Sequence, residues 1–331
     1  MGMSKCVIPL NVQFELTYNC NNRCVFCYNS EMTNTYKEIN TQEAILIIKD
    51  LASCGILSVN FNGGEPLIRD DFFEIVKVAD ECGLDIHMNT NANLINETNV
   101  RNIAKYFPAV CTTILAPDAY THDKLSGRKG AFQAAKRGIR LLQENSVYVA
   151  VNIMLSQLNI DEIYDTYDFL RSLDVRSVLI TRYVPCENNI KGLSITDQQF
   201  LDAIQKIYDY NVIHQCFDRI AFPQPFKLCH VSGELQKQIA DSNIACTIGL
   251  CTASISPNGD LTPCNLVKTP VLGNLLNENI NELWQRFDGE TYFCKEHLES
   301  KCSTCTMLPS CGGGCKGYND ALKKESFYND L

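Results

Sequence analysis

Between Val12 and Val184 six apolar, strand-like runs alternate with helical patterns. The runs are Val12–Leu16, Leu57–Phe61, Leu84–Asn89, Val110–Leu115, Val147–Leu155 and Val178–Val184. Helical periodicity covers Thr41–Cys54, Asp70–Cys82, Glu97–Tyr106, Ala131–Glu144 and Ile160–Leu173, with Thr41 placed as an N-cap and Gly83 as a stop after the second helix. Strands that return in the same direction need long crossovers, so this alternation predicts an α/β fold with a parallel sheet covered by helices. Six units fall short of the eight of a closed barrel, and a partial (β/α)6 barrel is expected; an ordinary doubly wound sheet shares the same periodicity. A helix over Asp197–Ile213 and a linker with Pro223 and Pro225 follow, and from Cys246 onward cysteine, glycine and turn residues replace apolar periodicity. The expected organisation is a barrel over residues 1–215, a bridging segment over 216–245 and a small Cys-rich domain over 246–331.

The chain has 331 residues, 45% of them apolar, and a net charge of −9 without a dense Lys/Arg block, which disfavours a nucleic-acid partner. The start, MGMSKCVIPL, lacks a signal-peptide core and places Cys6 where myristoylation wants Ser or Thr, and no run long enough to span a membrane follows. A cytoplasmic protein that does not engage membranes is expected. Eighteen cysteines then need a reason. A disulfide scaffold suits short secreted chains, so metal or cluster ligation is the stronger reading. Cys54, Cys82 and Cys111 lie in periodic apolar stretches and read as small core residues.

Cys20-x3-Cys24-x2-Cys27 follows the first strand. Three thiolates can hold a cubane iron–sulfur cluster and leave its fourth iron open to a small molecule. The C-terminal ends of barrel strands are where such folds build active sites. Zinc is the rival ligand, although it favours paired cysteines and four closed positions. After the second strand comes Gly63-Gly64-Glu65-Pro66, where glycines permit close backbone approach and a carboxylate suits an ammonium. These motifs, with Phe26 before the third cysteine, resemble in order those of the radical S-adenosylmethionine (SAM) enzymes. The resemblance implies a [4Fe–4S] cluster on Cys20, Cys24 and Cys27 that chelates SAM, a Gly63-Gly64-Glu65 turn that receives the SAM ammonium, and Phe26 packed near the adenine. Asn89-Thr90-Asn91 resembles the ribose-binding region with Ala92 in place of glycine, and Leu115-Ala116-Pro117-Asp118 stands where relatives carry Ser-Leu-Asp-Gly. Asn152 and Arg182, on the fifth and sixth strands, are further expected cofactor contacts.

Cys246-x12-Gly259-x4-Cys264, followed by Cys302-x2-Cys305-x5-Cys311-x3-Cys315, resembles the SPASM extension that carries auxiliary clusters in peptide-modifying radical SAM enzymes. The resemblance implies one auxiliary [4Fe–4S] cluster on Cys246, Cys251, Cys264 and Cys315 and a second on Cys302, Cys305 and Cys311. The family's seventh cysteine, expected beyond Cys315, is missing. Asp320, Asp330, Cys294 or an open iron would complete the second cluster, or that cluster is absent; a pair of zinc knuckles is the alternative for the whole block.

The activity implied is reductive cleavage of SAM to a 5′-deoxyadenosyl radical that abstracts hydrogen from a peptide, giving a thioether or C–C crosslink or an epimerised residue. Cys186, just after the sixth strand, is a candidate hydrogen-atom donor. Only 19 residues precede Cys20, which leaves no room for a leader-gripping domain and points to a separate leader-binding protein, with a flavodoxin or ferredoxin as electron donor. Anaerobic sulfatase maturases are a looser resemblance, because Asn265 follows Cys264 where their aspartate is expected. A small-molecule dehydrogenase or decarboxylase in cofactor or haem-type biosynthesis is the alternative enzyme, and an iron–sulfur electron carrier or redox sensor the alternative of another class.

Overall fold

The computed structural model describes residues 5–30, 32, 37–185, 192–231, 233–240, 246–289, 298 and 300–329. The six expected strand–helix units are present in order: β1 (Asn11–Thr17), α1 (Thr41–Ser53), β2 (Ser58–Gly63), α2 (Phe72–Glu81), β3 (Asp85–Met88), α3 (Val100–Tyr106), β4 (Ala109–Thr113), α4 (Ala119–Ser126), α5 (Ala131–Glu144), β5 (Tyr148–Leu155), α6 (Ile163–Ser172), β6 (Ser177–Arg182) and α7 (Asp197–His214). Period two divides each strand. On β1, Val12, Phe14 and Leu16 are fully buried in one core with Ile47, Ile48 and Leu51 of α1, whereas Gln13 turns into the barrel lumen.

Local chemistry moves several boundaries. Asn40, not Thr41, caps α1: its side chain accepts from the Glu43 amide while Glu43 reaches back, and Thr41 Oγ1 donates to Asp71 instead. α3 begins at Val100 rather than Glu97 because Asn96 and Asn99 bond the intervening amides in turns. α4, which the sequence pattern left as loop, is nucleated by Asp118, whose carboxylate accepts from the Tyr120 and Thr121 amides.

Two short strands extend the parallel array. β7 (Arg219–Ala221) pairs with β6, and β8 (Thr252–Ile255) pairs with β1, Asn11 opposite Thr252 through Phe14 opposite Ile255. The parallel order is therefore β8-β1-β2-β3, then, through the Asn89–Cys111 bridge, β4-β5-β6-β7. β9 (Asp260–Thr262) folds back antiparallel on β8, and β10 (Gly273–Asn274) on β9. Further described helices are α8 (Gly233–Ala240), α9 (Ile280–Arg286), a single turn at Leu308–Cys311 and α10 (Lys316–Asn329). The Cys-rich segment is thus built into the barrel's own sheet rather than set beyond it, and Ala253, Ile255, Leu261 and Trp284 share the core of β1. Strands of three or four residues carry too little alternation to be read in advance. Among the described residues no helix is long and apolar enough to cross a membrane.

Candidate functional site

The cysteine loop hangs from the C-terminal end of β1 and is held from two sides. From α4, the Ser126 and Leu125 carbonyls accept from the Arg23 and Val25 amides at 2.9 and 3.0 Å. From β2, the Thr17 and Asn19 carbonyls accept from the Gly64 and Glu65 amides at 2.7 and 2.9 Å. A Cβ on Gly63 would lie 2.3 Å from the Thr17 oxygen and one on Gly64 2.1 Å from the Asn19 oxygen. The glycine pair is required by the cysteine loop itself, whose backbone it touches. Cys20, Cys24 and Cys27 are unbonded thiols, each pushed up mainly by burial, with the charges of Cys27 and Cys20 adding to the rise at Cys24. Such thiols give up their protons only to a metal. Asn91 Nδ2 approaches Cys20 Sγ at 3.7 Å and donates to Asn21 Oδ1 at 2.7 Å.

Glu65 is fully buried. Its carboxylate accepts from Thr90 Oγ1 at 2.7 Å, the Asn91 amide at 2.8 Å and the Leu67 amide at 3.2 Å. Burial nonetheless pushes its pKa up to about 7. Thr90 and Asn91 thereby tie the β3 turn to both Glu65 and the first cysteine. Phe26 and Val25 pack on an apolar patch of Leu115, Leu125, Met154, Tyr183 and Leu193. His122 Nδ1 accepts from the Leu115 amide, and burial lowers its pKa to about 4, so the ring is neutral and carries its proton on Nε2. Asn89 and Asn152 also face this space; Asn152 Oδ1 accepts from Thr181.

Sequence spacing gave no sign of the next contact. Lys268, from the C-terminal segment, pairs with the fully buried Glu15 of β1, which also accepts from Asn29 Nδ2 at 2.7 Å. The ammonium lies over the Tyr18 and Tyr28 rings, and Asn265 Nδ2 donates to the Tyr28 hydroxyl at 3.0 Å. The residues flanking Cys264 are therefore anchored against those flanking Cys27.

One cavity of about 1060 Å³ is lined at one end by Cys20, Cys24 and Cys27 and at another by Cys246, Cys264 and Cys315. Burial raises all three of the latter thiols, Cys315 to about 11, and each charge at Cys246 or Cys315 raises Cys264 further. Cys251 departs from its expected role. The Thr247 carbonyl gathers the amides of Leu250, Cys251 and Thr252 into a tight turn, and the Cys251 sulfur is bonded to Cys6, in the segment before β1. Arg182 stands at this second wall. Its guanidinium pairs with Asp197 at 2.5 Å and stacks 3.5 Å from the Tyr318 ring centroid, three residues after Cys315. Gln224 Oε1 accepts from the Arg182 amide. Arg182 Nε is buried without a hydrogen-bond partner among the described residues, and the Gln224 side chain lies against the Cys315 thiol.

Cys302, Cys305 and Cys311 lie on consecutive turns outside this cavity, with only Cys311 fully buried. Asp320 lies on α10; Cys186, Cys294 and Asp330 fall outside the described residues. No three ligating side chains among the described residues close around a single ion. The donor sets fit larger groups: unbonded, burial-raised thiols in threes, facing a lumen, with an orphaned N–H donor beside the second set.

Residues 14–170 match the radical SAM superfamily model, and residues 246–306 match the SPASM iron–sulfur cluster-binding domain. The chain belongs to the radical SAM superfamily. Within it, the chain is of the SPASM-bearing kind, with iron–sulfur clusters and SAM as its cofactors. It is 24% identical over 91% of its length to the AdoMet-dependent heme synthase of Oleidesulfovibrio alaskensis, covering 81% of that protein. It is 27% identical over 93% of its length to mycofactocin maturase MftC of Mycolicibacterium smegmatis, covering 78%. In fold it is similar to SuiB of Streptococcus suis, both bound to SAM (TM-score 0.77, 19% identity, 96% of this chain and 75% of that one) and bound to the precursor peptide SuiA (TM-score 0.76, 18% identity, 96% and 74%).

Proposed function

We propose that the chain abstracts hydrogen from a peptide and leaves it with a thioether or C–C crosslink or an inverted centre. The observation that carries this reading is the lumen wall. Gln13, Asn60, Asn62, Asn89, Thr113, Asn152 and Thr181 line it. Gln13 Oε1 accepts from the side chains of Asn60 and Asn62 at 2.9 and 2.7 Å, and the buried Oδ1 atoms of both asparagines have no partner among the described residues. Neutral acceptors left open in a cleft suit the N–H groups of a peptide backbone. A tetrapyrrole, the second reading that the heme synthase relative brings, carries carboxylates that want cations. Of the arginines lining the cavity, Arg23 donates to the Cys20 and Asn22 carbonyls and Arg182 is paired with Asp197, which leaves Arg219, exposed at the start of β7, for several carboxylates.

In this reading Cys20, Cys24 and Cys27 would hold the first cluster, which when bound would supply the one-electron reduction of SAM. Glu65 receives the SAM ammonium on Oε2, which accepts only one protein amide. Phe26 and its apolar patch bury the adenine, and the Asn60–Asn62 wall fixes the peptide. Cys246, Cys264 and Cys315 hold an auxiliary cluster across the same lumen. A separate leader-binding protein and a flavodoxin or ferredoxin are the expected partners. Cys186 as hydrogen donor is tested by Cys186→Ala, which should abolish an epimerised product if the role is real.

The test is anaerobic reconstitution, reduction and incubation with SAM and a peptide encoded beside the gene. Expected are 5′-deoxyadenosine and a peptide that loses two hydrogens or takes up solvent deuterium. Turnover of an iron tetrapyrrole and not of the peptide would select the second reading. Absence of 5′-deoxyadenosine altogether would leave an electron carrier.

A further inference from the structure

Cys302, Cys305 and Cys311 offer three thiolates where a closed cubane takes four, and a further thiol stands near them in the fold. We propose that Cys229, in the bridging segment between barrel and Cys-rich block, is the fourth thiolate of the cluster on Cys302, Cys305 and Cys311. This rests on reading those three as cluster ligands.

The segment after β7 runs alongside the end of the block. The Pro225 carbonyl accepts from the Cys315 amide at 2.8 Å. Gly314 then meets the backbone of the next two residues so closely that a Cβ there would lie 3.4 Å from the Phe226 carbonyl carbon and 3.3 Å from the Lys227 nitrogen. The following amide, of Leu228, donates to the Cys311 sulfur at 3.4 Å, and that thiol in turn faces the Phe226 carbonyl at 3.9 Å. As one strand of this pair advances from 225 to 228, the other retreats from 315 to 311. The next residue forward is Cys229, on the short turn Leu228–His230; further back along the block lie Cys305 and Cys302.

Cys302, Cys305 and Cys311 are themselves linked by turn bonds: the Cys305 amide to the Cys302 carbonyl at 3.1 Å, Leu308 to Cys305 at 3.2 Å, and Cys311 to Met307 at 2.9 Å. Cys229 is an unbonded, exposed thiol, and the ionic groups that act on it are Lys301, Cys311 and Cys302. Four sulfurs from two segments far apart in sequence thus share one neighbourhood. Each thiol loses its proton as it ligates, and no oxidant or reductant is needed. A cluster closed by four thiolates passes electrons and does not bind a small molecule. The second auxiliary site is then a conduit that opens toward the surface at Cys229, while SAM is held at the open first site.

The experiment uses the full chain with Cys20, Cys24 and Cys27 all changed to Ala, reconstituted anaerobically and assayed for iron, sulfide and EPR signals. Adding Cys229→Ser should cost about one iron atom of the four in a cubane, with the EPR signal of an oxidised three-iron cluster, or leave four irons with a shifted EPR spectrum, because three thiolates can hold a cubane whose fourth iron takes an oxygen ligand. Cys82→Ser, which changes another exposed thiol just after α2, should cost none. An unchanged iron count and spectrum in the Cys229→Ser protein would overturn the assignment. If Cys302→Ala/Cys305→Ala also leaves iron unchanged, the reading of the block as a cluster site fails with it. If that double change removes about four irons and Cys229→Ser alters neither iron count nor spectrum, only the role of Cys229 fails.

Discussion

Replacing Glu65 by Gln isolates one carboxylate on which the first site turns. The side chain is fully buried and burial pushes its pKa up to about 7. Against an ordinary value of 4.5, that corresponds to roughly 3 kcal/mol in favour of the neutral form. An ammonium needs the ionised form, so below about pH 7 SAM must displace a proton to bind. Its apparent affinity should fall about tenfold per pH unit there and level off above. The Gln variant loses a charge-assisted bond worth roughly 1.5–3 kcal/mol, a ten- to hundredfold loss of affinity, and the pH slope disappears with it. Stability moves the other way. A carboxyl with a raised folded pKa binds its proton more tightly in the folded state, so its contribution is greatest in acid and declines as pH rises from about 4 to 7. At pH 8 the variant escapes that cost. Its amide nitrogen, however, faces the Asn91 or Leu67 amide and forfeits a bond worth about 1–2 kcal/mol. A net gain of about 1–2 kcal/mol at pH 8, and none at pH 4, is expected from urea denaturation of the apoprotein. Equilibrium binding of SAM to the reconstituted enzyme from pH 6 to about 8.5 reads the first effect. A Gln variant that keeps both the affinity and the pH slope would refute the assignment.

Three other perturbations test the surrounding structure. Lys268→Met strands the buried Glu15 charge and should cost roughly 3–5 kcal/mol in denaturation, most of it recovered in the Glu15→Gln/Lys268→Met double variant. Gly64→Ala drives a methyl to 2.1 Å from the Asn19 carbonyl and should displace the cysteine loop, read as loss of iron from the first site while auxiliary iron stays. Arg182→Gln withdraws a buried cation beside Cys315, so the auxiliary cluster should become harder to reduce. A roughly tenfold change in its reduced-to-oxidised ratio, about 59 mV in a redox titration, is expected, and Arg182→Lys should move it less.

Much of the site was legible because its signals are local. The Cys20, Cys24 and Cys27 triplet, the Gly63-Gly64-Glu65 turn and the six strand–helix units are each written within a few dozen residues, where spacing and period act directly. The reason assigned to the glycines was incomplete: they admit the backbone of the cysteine loop, which no spacing reveals. α4 was missed because its start depends on one aspartate cap rather than on an apolar period, and β7 and β8 because short strands are selected by the edges they pair with.

What the sequence alone determined is the donor chemistry: which thiols follow the first strand, which carboxylate follows the second, and that the chain wraps a parallel barrel. Tertiary structure decided how distant donors are grouped. It bonded Cys251 to Cys6 rather than leaving it with Cys246, Cys264 and Cys315. It turned Arg182 toward Cys315, joined Lys268 to Glu15 across the chain, and laid the segment of Cys229 along Cys311. Residues hundreds of positions apart meet only when β8 docks on β1, and that pairing follows from burying the remaining apolar faces of the whole barrel, a cooperative choice that no local pattern encodes.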